Sequence, residues 1–237
     1  MKKACFLLLF SLFLLSLSPA WAQAQKVFYL TFDDGPKADT PELLALLAEL
    51  DVPATFFLKG ASVKAFPEQT RMILEAGHRI GCHSMTHSYS YLKENVHNIG
   101  QDLQRFTRLM QQTVDPAFET DLFRFPGGST SYSDWARRYV AEQGYAWFDW
   151  SGLTGDTYPN MNAQKVFQNA LKTCGERDVI ILLAHEGKQT TRDALPQIVA
   201  HYRELGYEFR MLSTSPEERA ILSRCTANMR LPSEKIE

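Results

Sequence analysis

A chain of 237 residues with 25 basic and 27 acidic side chains and a formal net charge of −2 carries no basic stripe for nucleic acid and no acidic tail. Its length suffices for one sizeable domain around a single core. The mixed charge is compatible with a neutral partner such as a carbohydrate.

Residues 1–22 read as an export signal: Lys2 and Lys3 precede an apolar run, Phe6 to Leu17, broken only by serines, and Ala20-Trp21-Ala22 fits a cleavage site. The run falls short of the ~20 residues a spanning helix needs, so removal is expected over retention as an anchor. The expected product is one domain over residues 23–237, secreted or extracytoplasmic, with no stable membrane insertion and no nucleic-acid partner. In an exported chain Cys174 and Cys225 are the cysteines that could pair, while Cys82 reads as a buried thiol at a strand end.

Val27 to Phe32 is rich in β-branched and aromatic residues and stops before Gly35-Pro36, which predicts the first strand. Thr40-Pro41-Glu42 then opens a helix with a cap and an early proline, its apolar face made of leucines between Leu43 and Leu50. A second strand is expected over Ala54–Leu58, a helix over Pro67–Ala76, a third strand over His78–Cys82 and a long helix over Leu92–Gln111. Asp121–Phe125 is a strand ending at Pro126-Gly127-Gly128, followed by a helix over Ser133–Gln143 and a strand over Tyr145–Trp150. Asn162–Thr173 reads as a helix, and Asp178–His185 is apolar enough for a strand buried on both faces. A helix over Thr191–Leu205, a strand over Tyr207–Leu212 and a short helix over Pro216–Ser223 complete the pattern.

About seven β/α alternations predict parallel strands with helices outside. Asp33, Asp34, His83, Arg124 and His185 all fall at the C-terminal ends of strands, and a barrel gathers such ends around one mouth. A Rossmann sheet would need a glycine-rich loop after the first strand, which Gly35 alone does not supply. The expected fold is therefore α/β: a distorted, TIM-barrel-like (β/α) barrel of about seven parallel strands.

Two adjacent carboxylates, Asp33 and Asp34, raise each other's proton affinity. A bound cation removes the conflict if one carboxylate ligates it while the other stays free as a base. His83 and His87 are four apart, so a helical turn would put them on one face; with one carboxylate they leave metal positions open for water and substrate. A non-haem iron oxygenase uses a similar set, but a free base at Asp33 and the alternating β/α pattern fit it poorly. Arg124 suits a guanidinium that grips a carboxylate with two bonds, and the glycines after it expose amides suited to an oxyanion. His185, ending an apolar strand, suits a proton donor, with Asp149 and Asp156 as candidate carboxylates to orient it. Trp150, Tyr132 and Trp135 offer flat faces for sugar rings. His78, His97 and His201 read as structural or solvent-facing.

Thr31-Phe32-Asp33-Asp34-Gly35, Gly81-Cys82-His83-Ser84-Met85-Thr86-His87, Arg124-Phe125-Pro126-Gly127 and the strand ending at His185 resemble, in order and approximate spacing, the polysaccharide deacetylases of carbohydrate esterase family 4. The shared unit of that family is the NodB homology domain, here over residues 23–237. The resemblance implies a metal-dependent hydrolase that removes acetyl groups from an N-acetylated glycan, with peptidoglycan N-acetylglucosamine the first expectation and chitin oligomers the second. The alternatives are acetylxylan O-deacetylation and a catalytically weak carbohydrate-binding protein on the same scaffold. It implies a divalent metal, zinc before cobalt, held by Asp34, His83 and His87. Asp33 would be the general base, Arg124 its positioner, Gly127 an oxyanion donor and His185 the general acid. The family's usual acid ahead of a tryptophan has no clean counterpart: Asp149 and Asp156 are both candidates, and Leu153 falls near its place. Glu186 follows His185 where an aspartate is usual.

Overall fold

The computed structural model of the chain describes residues 25–232; the expected export signal, residues 1–22, lies outside them. The first strand, β1 (Val27–Asp33), is buried at every position. Strand alternation sends Phe28, Leu30 and Phe32 into the core shared with the helices, and Val27 and Tyr29 into an inner cluster with Phe57, Leu122, Phe148 and Ile181. Thr31 and Asp33 continue that inner row towards the C-terminal end of the strand.

In chain order there follow α1 (Thr40–Glu49), β2 (Thr55–Leu58), α2 (Gly60–Ala65), α3 (Pro67–Glu75), β3 (Arg79–Cys82), α4 (Tyr89–Glu94), α5 (Val96–Thr113) and β4 (Leu122–Phe123). Then come α6 (Asp134–Glu142), β5 (Ala146–Phe148), β6 (Gly152–Leu153), α7 (Ala163–Cys174), β7 (Val179–His185), α8 (Gln189–Glu204), β8 (Glu208–Arg210), α9 (Pro216–Leu222) and β9 (Met229–Arg230). The sheet runs β6-β7-β1-β2-β3-β4-β5-β9, with β8 also on β1. One edge of β1 is divided: β8 pairs with Val27–Tyr29 and β2 with Thr31–Asp33. All of these pairings are parallel except β5 with β9. The result is a mostly parallel α/β half-barrel, the distorted barrel that the strand-end pattern predicts.

The described sheet has nine strands against about seven expected, because β6 and β9 are two-residue strands too short to leave a periodic trace. The expected helix over Leu92–Gln111 is broken in two at Asn95, whose extended backbone and side-chain bond to the His97 N–H start α5 as an asparagine cap. Below the site, α9 contributes Ile221 and Leu222 to the inner cluster. Its buried Glu218 accepts the Tyr29 hydroxyl and pairs with Arg210 at 2.7 Å. The contemplated Cys174–Cys225 bridge is absent and all three described cysteines are free. Cys174 is packed against Gly152, where a β-carbon would fall 2.1 Å from its sulfur, while Cys225 Sγ lies against Val179 O at 3.7 Å.

Register sets the level of the site. Asp33 stands opposite His185 on β7 and Phe57 on β2, Leu58 opposite Cys82 on β3, and Cys82 opposite Phe123 on β4. The residues that follow, His83 and Arg124, therefore emerge at the same rim as Asp33 and His185.

Candidate active site

Arg124 is fully buried at the centre of this rim. Its Nη1 donates to Thr31 Oγ1 at 2.7 Å and to Asp33 Oδ1 at 2.9 Å, and its Nε to Phe148 O at 2.9 Å. The guanidinium carbon also stands over the Phe57 ring, 4.2 Å from its centroid. The two-bond grip on one carboxylate expected from sequence is not formed; a single bond reaches Asp33 because the fork also serves Thr31 and two backbone carbonyls, those of Phe148 and Asp149. Asp33 Oδ2 is thereby left without that partner and lies 3.7 Å from His83 Nε2.

Asp34 follows with a left-handed backbone, φ 71°, a conformation an L-residue adopts at a cost. Ser62 Oγ donates to the Asp34 carbonyl at 3.2 Å and Lys59 N to Gly35 O at 3.1 Å, which holds this corner. The ligand atoms of Asp34, His83 and His87 all lie within 4.8 Å of one another. His83 Nδ1 is 2.9 Å from Arg124 O; a carbonyl oxygen only accepts, so Nδ1 carries a proton and Nε2 is the atom that faces Asp34, 3.8 Å from its Oδ1. Asp34 Oδ1 is buried without a hydrogen bond, although Lys59 Nζ stands 3.3 Å away as an ion pair. An orphaned oxygen beside two imidazole nitrogens is a donor set that fits a divalent cation.

Electrostatics favour the ligating forms. Burial works to raise the Asp34 pKa, but His83, Lys59 and His87 outweigh it and hold the carboxyl below its ordinary value. For His87, burial and the neighbouring His83 prevail over Asp34 and lower its pKa, favouring the neutral imidazole that binds metals. The two histidines do not share a helical face, as the spacing suggested. A tight turn joins them, with positive φ at Ser84 (74°) and His87 (51°), and Ser84 Oγ accepts the N–H groups of Thr86 and His87.

Across the rim, Asp156 Oδ1 accepts from His185 Nδ1 at 2.8 Å and Oδ2 accepts from the His185 backbone N–H and from Thr191 Oγ1, each at 2.8 Å. Burial works to lower the His185 pKa, but the Asp156 hydrogen bond and charge, with Asp33 and Asp34 behind it, leave it raised. Asp149, the other candidate, does not reach His185: its carboxylate accepts Ser129 N–H at 2.8 Å and Ser129 O–H at 2.7 Å. Sheet order explains the choice, since β5 delivers Asp149 next to β4 whereas β6, just before Asp156, pairs with β7.

Gly127 and Gly128 both adopt positive φ, and a β-carbon on Gly128 would lie 3.2 Å from Trp150, which is itself half-buried. Tyr132 is buried and not a free sugar platform; Trp135 is the exposed one. Thr40, expected as a helix cap, instead donates to Glu186 Oε2 at 2.8 Å. Asp34, His185 and Glu186 line one cavity of about 530 Å³ with Lys37 and Thr157.

Thr31 shares a strand face with Asp33 two positions on, which strand alternation makes legible, whereas Thr191 and Lys59 are brought to the site only by packing.

The chain matches the polysaccharide deacetylase family over residues 22–148. It is 35% identical over 194 residues to a peptidoglycan-N-acetylglucosamine deacetylase of Bacillus cereus, covering 78% of this chain and 68% of that protein. Among solved structures it is similar to the polysaccharide deacetylase Bc1974 from Bacillus cereus, with 34% identity and a TM-score of 0.73 over 80% of this chain and 93% of that one. It is also similar to a CE4 esterase of Streptococcus mutans, with 32% identity and a TM-score of 0.72 over 80% and 87% of the two chains. The chain belongs to the polysaccharide deacetylases of carbohydrate esterase family 4.

Proposed function

We propose that this protein is a metal-dependent hydrolase that removes acetyl groups from an N-acetylated glycan, with the N-acetylglucosamine of peptidoglycan as its substrate. The observation that carries the reading is one rim holding three kinds of group: a cluster of ligand atoms from Asp34, His83 and His87, a separate buried carboxylate on Asp33, and a histidine paired with Asp156. The relative named as a peptidoglycan deacetylase and the export signal expected over residues 1–22 support the choice of glycan. Among the described residues no helix is long and apolar enough to cross a membrane.

Asp34 Oδ1 and the Nε2 atoms of His83 and His87 would hold the cation, with zinc suited to such a set. When bound, it would supply a Lewis acid that makes water nucleophilic near neutral pH and polarises the acetyl carbonyl. Asp33, paired with the Arg124 guanidinium at 2.9 Å through Oδ1, takes the proton of the attacking water through Oδ2. The Gly127 N–H offers a donor to the developing oxyanion. His185, its Nδ1 engaged by Asp156, gives the Nε2 proton to the departing amine. Trp150 supplies an apolar face beside the glycine turn.

Acetate release from peptidoglycan, chitooligosaccharides and acetylxylan, with and without added zinc or cobalt, tests this. Metal-stimulated release from peptidoglycan is expected, and Asp33→Asn should lose on the order of 10²–10⁴-fold in rate. Equal release by Asp33→Asn removes the base. Faster release from acetylxylan than from either N-acetylated glycan makes the protein an O-deacetylase instead.

A further inference from the structure

The helix α5 turns an otherwise apolar face to the core through Ile99, Leu103, Phe106 and Met110, yet Asp102 lies in that face at 1% exposure. A carboxylate so placed is costly to desolvate, and among the described residues no cation pairs with it. Its Oδ1 has no hydrogen-bond partner. Its Oδ2 accepts one bond, from the backbone N–H of Met85 at 2.5 Å. Met85 lies midway in the turn that links His83 to His87.

That turn needs holding. Ser84 and His87 have left-handed backbones, each costing on the order of 1–2 kcal/mol for an L-residue. Two internal bonds reach Ser84 Oγ, and Gly60 N donates to Ser84 O at 3.1 Å from the start of α2. Asp102 supplies the matching tether from the other side, α5. Between them the Met85 side chain is buried, its sulfur against Gly60.

We infer that Asp102 is a positioning residue for the candidate metal centre: by accepting the Met85 N–H it keeps the His83–His87 turn in the ligating shape before the cation arrives. This rests on the metal-site reading proposed above. It follows from the general behaviour of groups behind metal ligands, which fix ligand orientation and whose loss weakens metal binding, and from the lower cost of binding to a site already in shape.

Zinc affinity of the metal-stripped full chain, measured by competition with a chromophoric chelator, tests the tether in the wild type, Asp102→Leu and Asp102→Asn. Leucine suits the apolar face of α5 but accepts nothing, so zinc should bind about tenfold or more weakly; asparagine keeps an acceptor oxygen and should stay within about threefold of wild type. Wild-type affinity in Asp102→Leu, or equal weakness in both variants, overturns the inference, the latter because charge and not the bond would then matter. Hydrogen exchange of the Met85 amide in metal-free wild type gives a readout that needs neither variant folding nor zinc. Slow exchange is expected, and exchange at the rate of an unstructured amide overturns the tether. A wild type that takes no zinc counts against the metal site itself, while the Met85 amide still reports on the tether alone.

Discussion

Asp156 holds His185 at two points, the imidazole Nδ1 and the backbone N–H, each at 2.8 Å. The imidazole can neither flip nor change tautomer without giving up its partly buried bond to Asp156, and its raised pKa keeps it protonated further towards alkaline pH. The stabilisation this pair contributes is complete below the ordinary histidine pKa and is lost as pH rises through the raised one.

Asp156→Asn removes the charge that opposes burial, so the His185 pKa should fall. The alkaline limb of kcat/KM should move to lower pH and kcat should drop by roughly 10²-fold, read from pH-rate profiles of acetate release. An unmoved alkaline limb would assign the acid to another group.

Binding and proton transfer should separate between the two sides of the rim. His87→Ala removes one of the ligand atoms clustered with Asp34 and His83, so zinc measured by elemental analysis after gel filtration should fall well below one ion per chain. Asp33→Asn should retain its zinc, because Asp33 stands outside that cluster. Loss of zinc from Asp33→Asn would make this carboxylate a ligand and not a base.

Arg124 sits inside the barrel with no exposure, and Asp33 is 3% exposed. Arg124→Met strands that carboxylate and should cost about 3–5 kcal/mol of stability in urea titrations. Arg124→Lys should recover part of it, since an ammonium can face Asp33 but cannot also reach Thr31 and the Phe148 carbonyl as the planar fork does.

Glu186 is wedged against the corner after Asp34, where a β-carbon on Gly35 would fall 2.2 Å from its carboxyl carbon. Burial pushes its pKa up to about 7 from 4.5. A carboxyl raised in the folded state favours folding at low pH and loses that contribution as pH climbs through the raised value. Glu186→Gln should therefore gain roughly 2 kcal/mol on the wild type between pH 5 and pH 8. A stability difference that stays constant across that range would mean the carboxyl is ionised at an ordinary pKa.

Much of the barrel is legible in the linear chain because the signals are local. Val27–Asp33 alternates inner and outer residues while remaining buried on both faces, and Gly35-Pro36, Pro126-Gly127-Gly128 and Gly144 stop elements by backbone chemistry. Asp33, Asp34, His83, Arg124 and His185 can be placed at strand ends without any knowledge of neighbours. Adjacent like charges at Asp33 and Asp34 already point to a cation.

Partnership is another matter. Whether Asp149 or Asp156 meets His185 depends on β6 lying beside β7, a two-residue pairing with no sequence pattern of its own. The His83–His87 turn is held by Ser84 from within and by Gly60 and Asp102 from separate parts of the chain. Thr40 leaves its expected cap for Glu186 because their elements pack together. Periodicity and turn residues act over a few positions and survive in one dimension; hydrogen-bond partners at the rim are chosen by register between strands far apart in the chain, and only the folded barrel makes that choice.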